Sequence, residues 1–191
     1  MNSVESIHQH ATELKDKIKE YTDVSVEMCY QCGKCSAGCP IVEEMDIAPN
    51  QILRMLQLGF PELEEKILSS LSIWLCLTCE TCYARCPKEV ELPLVMDYLR
   101  QESIKRGLVH KQAADILAFH KSFLDSVESI GKMHEVTLFR NYKLKTLHFL
   151  QDMSLVPGML SNGKLSIFPH KVKNRDAIAR IFQKAFAEKE D

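Results

Sequence analysis

Cysteine is absent everywhere except in two short segments, residues 29–39 and 76–86. Long apolar runs are missing as well. No stretch approaches the ~20 apolar residues of a membrane span, and even Leu71 to Leu77 is short and broken by Ser72. Charge excess is lacking: 24 Lys and Arg against 26 Asp and Glu leave a formal charge of -2, which gives no basis for nucleic-acid binding or a strongly basic membrane patch. The chain has no G-x-G-x-x-G fingerprint, no phosphate loop and no nucleophile with an evident base beside it. No bond chemistry on a substrate is therefore expected, and no catalytic residue is assigned. Met1 to His8 shows no basic segment followed by an apolar one, so a cytoplasmic chain is expected, in which thiols stay reduced and bind metal more often than they form bridges.

What is present reads as helix. At 191 residues the chain can bury a core without disulfides. Val4, Ile7, Ala11, Leu14, Ile18 and Tyr21 recur at three- and four-residue steps, which predicts an N-terminal helix with one apolar stripe. Pro49 opens a second helix carrying Ile52, Leu53 and Leu56, with Gly59 as its stop. Pro61 opens a third, with Glu62, Glu64 and Glu65 near its positive end and Leu63, Ile67, Leu68 and Leu71 inward. Pro93 begins a fourth with Leu94, Val95, Tyr98 and Leu99 inward, ending before Gly107.

Two further helices are predicted from about His110 to Asp125 and from Met133 to Leu150, and a terminal one from Arg175 to Glu188. Pro157-Gly158, Ser161-Asn162-Gly163 and Pro169 mark a loop-rich stretch with room for a short hairpin at Leu165 to Phe168. The predicted class is mainly α. Three parts are expected: an N-terminal helix over 1–24, a helical domain holding both cysteine segments over 25–107, and a helical extension over 108–191 packed on the same core.

The two cysteine segments share one spacing. Cys29, Cys32, Cys35 and Cys39-Pro40, and again Cys76, Cys79, Cys82 and Cys86-Pro87, read C-x2-C-x2-C-x3-C-P, displaced by 47 positions. Soft thiolates select iron-sulfur clusters, zinc or Cu(I). This run is the bacterial ferredoxin signature for cubane [4Fe-4S] centres, in which the fourth cysteine of each run ligates the other cluster. Carried over here, Cys29, Cys32, Cys35 and Cys86 hold one cluster, and Cys76, Cys79, Cys82 and Cys39 the other. Structural zinc is the competing reading, but zinc sites usually pair two C-x2-C knuckles across a long spacer. Clusters that only staple neighbouring proteins together are a further alternative.

Around the motifs, Trp74 and Tyr83 are candidates to shield the second cluster and Lys34, Arg85 and Lys88 to raise a potential. Packing and solvation explain these residue types equally well. Met55, Met96 and Met153 are read as core filling. The seven histidines, His8, His10, His110, His120, His134, His148 and His170, are scattered and form no ligand pair.

The segment Cys29 to Pro40, the run from Ile73 through Pro87 and the all-helical surroundings resemble the iron-sulfur C subunits of the cytoplasmic heterodisulfide reductases of methanogenic archaea, within the helical dicluster ferredoxin family. The resemblance implies one component of an oxidoreductase complex, relaying single electrons through two [4Fe-4S] clusters. In such complexes a bifurcating, flavin-bearing component, the A subunit, is supplied by hydrogenase or formate dehydrogenase. The catalytic component, the B subunit, reduces the mixed disulfide of coenzyme M and coenzyme B. That catalytic component carries adjacent cysteines, and this chain has no Cys-Cys pair. The same relay in a sulfur-metabolising or quinone-linked complex is the alternative.

Overall fold

A computed structural model describes residues 13–147, 156–163 and 172–187. Among them there is no strand, and no helix is long and apolar enough to cross a membrane. The chain divides into two compact units, Met1–Ala113 and Ala114–Asp191.

In the first unit, α1 (Glu13–Thr22) buries Leu14 and Ile18 completely. Tyr21, at the end of the same stripe, is instead 66% exposed and tilts against Tyr98 with ring centroids 5.4 Å apart. Its hydroxyl favours a wet edge. Val4, Ile7 and Ala11 lie outside the described residues. A 3-10 turn, Val26–Met28, leads into the first cysteine loop, which contains the one-turn helix α2 (Lys34–Ala37).

Helix α3 (Pro49–Leu58) then buries Ile52, Leu53 and Leu56 and ends on Gly59 in the left-handed region at φ 62°. Its first free amide, Asn50 N–H, donates to Ser36 Oγ of α2 at 3.0 Å, so the first cysteine loop caps the helix that follows it. Helix α4 (Pro61–Leu68) buries Ile67 and Leu68, and also Glu64, which the sequence places among solvated acids at the helix start.

The second half repeats this plan. A one-turn helix α5 (Ser72–Leu75) precedes the second loop, α6 (Thr81–Ala84) lies within it, and α7 (Leu92–Lys105) follows. Helix α7 turns Leu92, Val95, Met96 and Leu99 inward and leaves Leu94 38% exposed, one step off the predicted face. It packs on α1, α4, α5 and α6, and Ser103 Oγ donates to Leu68 O at 2.7 Å at the end of α4. Helices α2 and α6 pack against each other, which brings the two cysteine loops together.

In the second unit, α8 (Ala114–Ile130) and α9 (Glu135–Thr146) form a hairpin, α10 spans Val156–Ser161, and α11 (Arg175–Ala187) packs on α8. Pro157 and Gly158 fall inside α10, not in a loop; proline is tolerated in a first turn, whose amides have no intrahelical partner. The α8 surface that is buried carries Ser122 and Ser126, while Leu124 on α8 and Ile181 on α11 are 41% and 64% exposed. The hairpin predicted at 165–168 lies outside the described residues.

Candidate iron-sulfur site

The two loops share backbone geometry as well as spacing. In the first, Gln31 and Gly33 have φ 63° and 76°; their counterparts Thr78 and Glu80 have φ 50° and 60°. Two left-handed residues separated by one cysteine curl each loop. Glycine meets this demand without strain at one of the four positions only. The curl passes directly into α2 or α6, with Cys35 and Cys82 each the second residue of its helix.

Two cavities in the first unit take up the thiols. One is lined by Cys39, Cys76, Cys79 and Cys82, with Met45, Pro49, Leu92, Pro93 and Met96 as its apolar wall. The other is lined by Cys29, Cys32, Cys35 and Cys86, with Leu53, Val90 and Leu92. Cys82 and Leu92 border both. The eight predicted site residues thus stand around two adjacent spaces, and in each space the last cysteine of one run faces the first three of the other.

The donor set fits a cluster better than a single ion. Zn–S bonds of ≈ 2.3 Å in a tetrahedron need sulfurs gathered about one point. Thiols alone around two apolar-walled spaces match the donor set of cubane clusters, which are liganded at separate corners.

The thiols are not equivalent. Burial pushes Cys35 and Cys76 up, and burial with the neighbouring Cys76 pushes Cys82 up to about 11. Cys32 is held down, first by the backbone N–H of Lys34, and Cys79 by the Thr81 hydroxyl, 3.4 Å from its Sγ. Each loop therefore has an exposed thiol at its second cysteine that ionises more readily than a free one, and half-buried thiols whose protonated form burial favours, so a metal must displace that proton to bind. Further donors face the sulfurs: Gln31 Nε2 to Cys29 at 3.4 Å and Val90 N–H to Cys86 at 3.3 Å.

Three anchors hold the loops, and none is evident from the motif. Gln57 Nε2 on α3 donates to Val26 O at 3.0 Å and Cys29 O at 2.7 Å. Arg100 on α7 donates from Nε to Ile73 O at 2.6 Å and from Nη2 to Cys76 O, and pairs with Asp97 at 2.8 Å. Asp46 accepts from Ser72 N–H at 2.8 Å and Leu71 N–H at 3.1 Å, taking up the first amides of α5. Ser72 Oγ completes the link by donating to Asp46 and accepting from Ile47 N–H at 2.8 Å. The only sequence hint is a polar residue beside each buried leucine, Leu56-Gln57 and Leu99-Arg100, a pattern that solvation explains by default.

Of the shielding candidates, Trp74 is buried and Tyr83 38% exposed. Arg85 lies across Gly38: a Cβ there would sit 2.7 Å from the flexible end of the Arg85 side chain, which would have to shift. Lys34 lines the first-run cavity, and both Lys34 and Lys88 are exposed.

Residues 25–90 match the family model described as a 4Fe-4S dicluster domain. The chain is similar to the C subunit of the H(2):CoB-CoM heterodisulfide,ferredoxin reductase of Methanothermobacter thermautotrophicus, at 35% identity over 97 residues, 51% of either chain. Similarity extends to the iron-sulfur C subunit of the CoB--CoM heterodisulfide reductase of Methanopyrus kandleri, 36% over 104 residues, 54% of this chain and 53% of that one. The C subunit of the ferredoxin:CoB-CoM heterodisulfide reductase of Methanosarcina acetivorans is 32% identical over 118 residues, 62% and 43% of the two chains. The matches thus span about half the length of these curated relatives. The resemblance carried by the cysteine motifs is found in these comparisons, and the mainly helical class in the structure.

Proposed function

We propose that this chain is the electron-transfer component of a cytoplasmic heterodisulfide reductase complex. It passes single electrons from a bifurcating flavin-bearing A subunit, fed by hydrogenase or formate dehydrogenase, to the catalytic B subunit that reduces the CoM-S-S-CoB heterodisulfide. The observation that carries this reading is the pair of adjacent cavities, one lined by four thiols and the other by five, with Cys82 bordering both. Cys29, Cys32, Cys35 and Cys86 would hold one [4Fe-4S] cluster, and Cys76, Cys79, Cys82 and Cys39 the other. When bound, such clusters supply one-electron centres.

The chain's own residues bind, position and shield. Gln57 on α3 and Arg100 on α7 tether the loop backbones, so each first cysteine, itself outside any helix, is held in place from the helix that follows its loop. Leu53 and Met96, from equivalent faces of α3 and α7, wall off water, and the exposed Cys32 and Cys79 mark where each site comes nearest the surface. Residues 25–107 form the relay, α1 closes it, and residues 108–191 supply an extension for docking within the complex.

Two measurements test this. Tagged full-length chain, captured from its native extract, should bring down a flavoprotein and a second protein with adjacent cysteines. Reduced chain should be reoxidised by the heterodisulfide only when that second protein is present. Capture of a quinone-reactive or sulfur-oxidising partner instead would reassign the relay to another complex.

A further inference from the structure

The internal repeat extends past the cysteines into the helices that follow them. With a displacement of 43 positions, Ile52, Leu53 and Leu56 of α3 align with Val95, Met96 and Leu99 of α7, and all six are buried. In that register Gln57 is the counterpart of Arg100. Both side chains reach back to the carbonyl of the first cysteine of their own loop, Cys29 in one case and Cys76 in the other. The two halves therefore use the same anchor with different charge.

We propose that Arg100 is a positioning residue that sets the reduction potential of the second site, making it more easily reduced than the same loop would be with a glutamine anchor. The inference rests on the reading that both sites hold [4Fe-4S] clusters. Reduction by one electron adds one negative charge to a site, and a fixed cation beside it favours the reduced form; local net charge is one of the levers on cluster potential. Arg100 suits that role because its side chain is only 16% exposed and is held by two backbone carbonyls next to Cys76, so water and salt screen it weakly.

Other charges bear on the comparison. Glu80, Arg85 and Lys88 are exposed, where screening is strong. Asp97 opposes Arg100, but its carboxylate is 49% exposed and binds Nη1, while Nε and Nη2 face the loop. Lys34 lines the first-run cavity but stands exposed, where screening is strong. The repeat thus builds two sites of one geometry, and a buried guanidinium makes them electrically unequal.

The test is a redox titration of anaerobically purified full-length chain, followed by EPR, in wild type and three variants. Arg100→Gln is expected to move one of two one-electron waves to lower potential and leave the other in place. Arg100→Lys keeps the charge but not the two-carbonyl fork, so its potential should stay near wild type while a chelator removes iron faster. Asp97→Asn, on the exposed rim, should move the same wave upward, and it decides the matter if Arg100→Gln loses its clusters. Waves unmoved in both Arg100→Gln and Asp97→Asn, or two waves moved equally, would overturn the proposal. A wild-type chain that carries zinc and shows no redox waves would instead defeat the cluster reading beneath it.

Discussion

At the scale of single residues, the cysteine loops depend on backbone conformations that only some side chains accept. Gly33 has φ 76°, yet a Cβ built there meets no atom within 4 Å. Gly33→Ala therefore adds backbone strain without crowding another protein atom, and it should cost about 1 kcal/mol, in line with the left-handed penalty for L-residues. Its counterpart Glu80 already bears that strain at φ 60°, so Glu80→Gly should leave stability unchanged or raise it by up to about 1 kcal/mol. Urea midpoints of the two variants check the pair, and a loss in Glu80→Gly as large as that in Gly33→Ala would refute the equivalence of the loops. None of this is legible in the sequence, because the second loop meets the same demand with threonine and glutamate.

Asp46 adds a pH dependence. Burial pushes its carboxyl up, but the hydrogen bonds from Ser72 and Leu71 outweigh it and hold the group below the usual carboxylate range. A group depressed in the folded state contributes stability above its unfolded pKa of ~3.9, and that contribution is lost as pH falls through the folded value. Between pH 6 and about pH 3 the stability of wild type should therefore fall relative to Asp46→Asn, which has no carboxyl to protonate. At neutral pH, Asp46→Ala should cost about 1 kcal/mol through loss of the amide cap on α5. Denaturation followed by circular dichroism across that pH range would show either the converging curves or a constant gap that contradicts them.

At the scale of elements, apolar periodicity locates α3, α4 and α7, and proline and glycine mark their ends, because a 3.6-residue stripe and its caps are local features. The same signals fail where burial is decided by tertiary partners. Tyr21, Leu94, Leu124 and Ile181 sit on apolar stripes yet are exposed, and Glu64 sits among surface acids yet is buried. The one-turn helices α2, α5 and α6 are too short to show a period at all. Gln57 illustrates the functional consequence: it reads as a solvated residue on α3, and the fold turns it into the clamp on Cys29 O. Gln57→Ala should leave helix content intact and hasten loss of iron from the first site, as monitored by bleaching in the presence of a chelator. Equal bleaching of wild type and variant would remove the clamp from the account.

At the scale of the whole molecule, the spacing of eight cysteines makes the candidate site legible, since four-thiol sets of this kind suit few groups other than cubane clusters. Which four belong together is carried over from the ferredoxin signature, and the contact that would bring them together, α2 on α6, is long-range. The central claim is that each cluster takes its last ligand from the other run, and paired cysteine deletions test it most directly. Iron and EPR signal should be compared in two double variants of the full chain, Cys39→Ala with Cys79→Ala and Cys39→Ala with Cys32→Ala. The crossed arrangement predicts that the first pair strikes a single cluster and retains about one cluster's worth of iron per chain, whereas the second strikes both and retains almost none. The reverse outcome, with the Cys39 and Cys32 pair keeping one intact cluster, would contradict it.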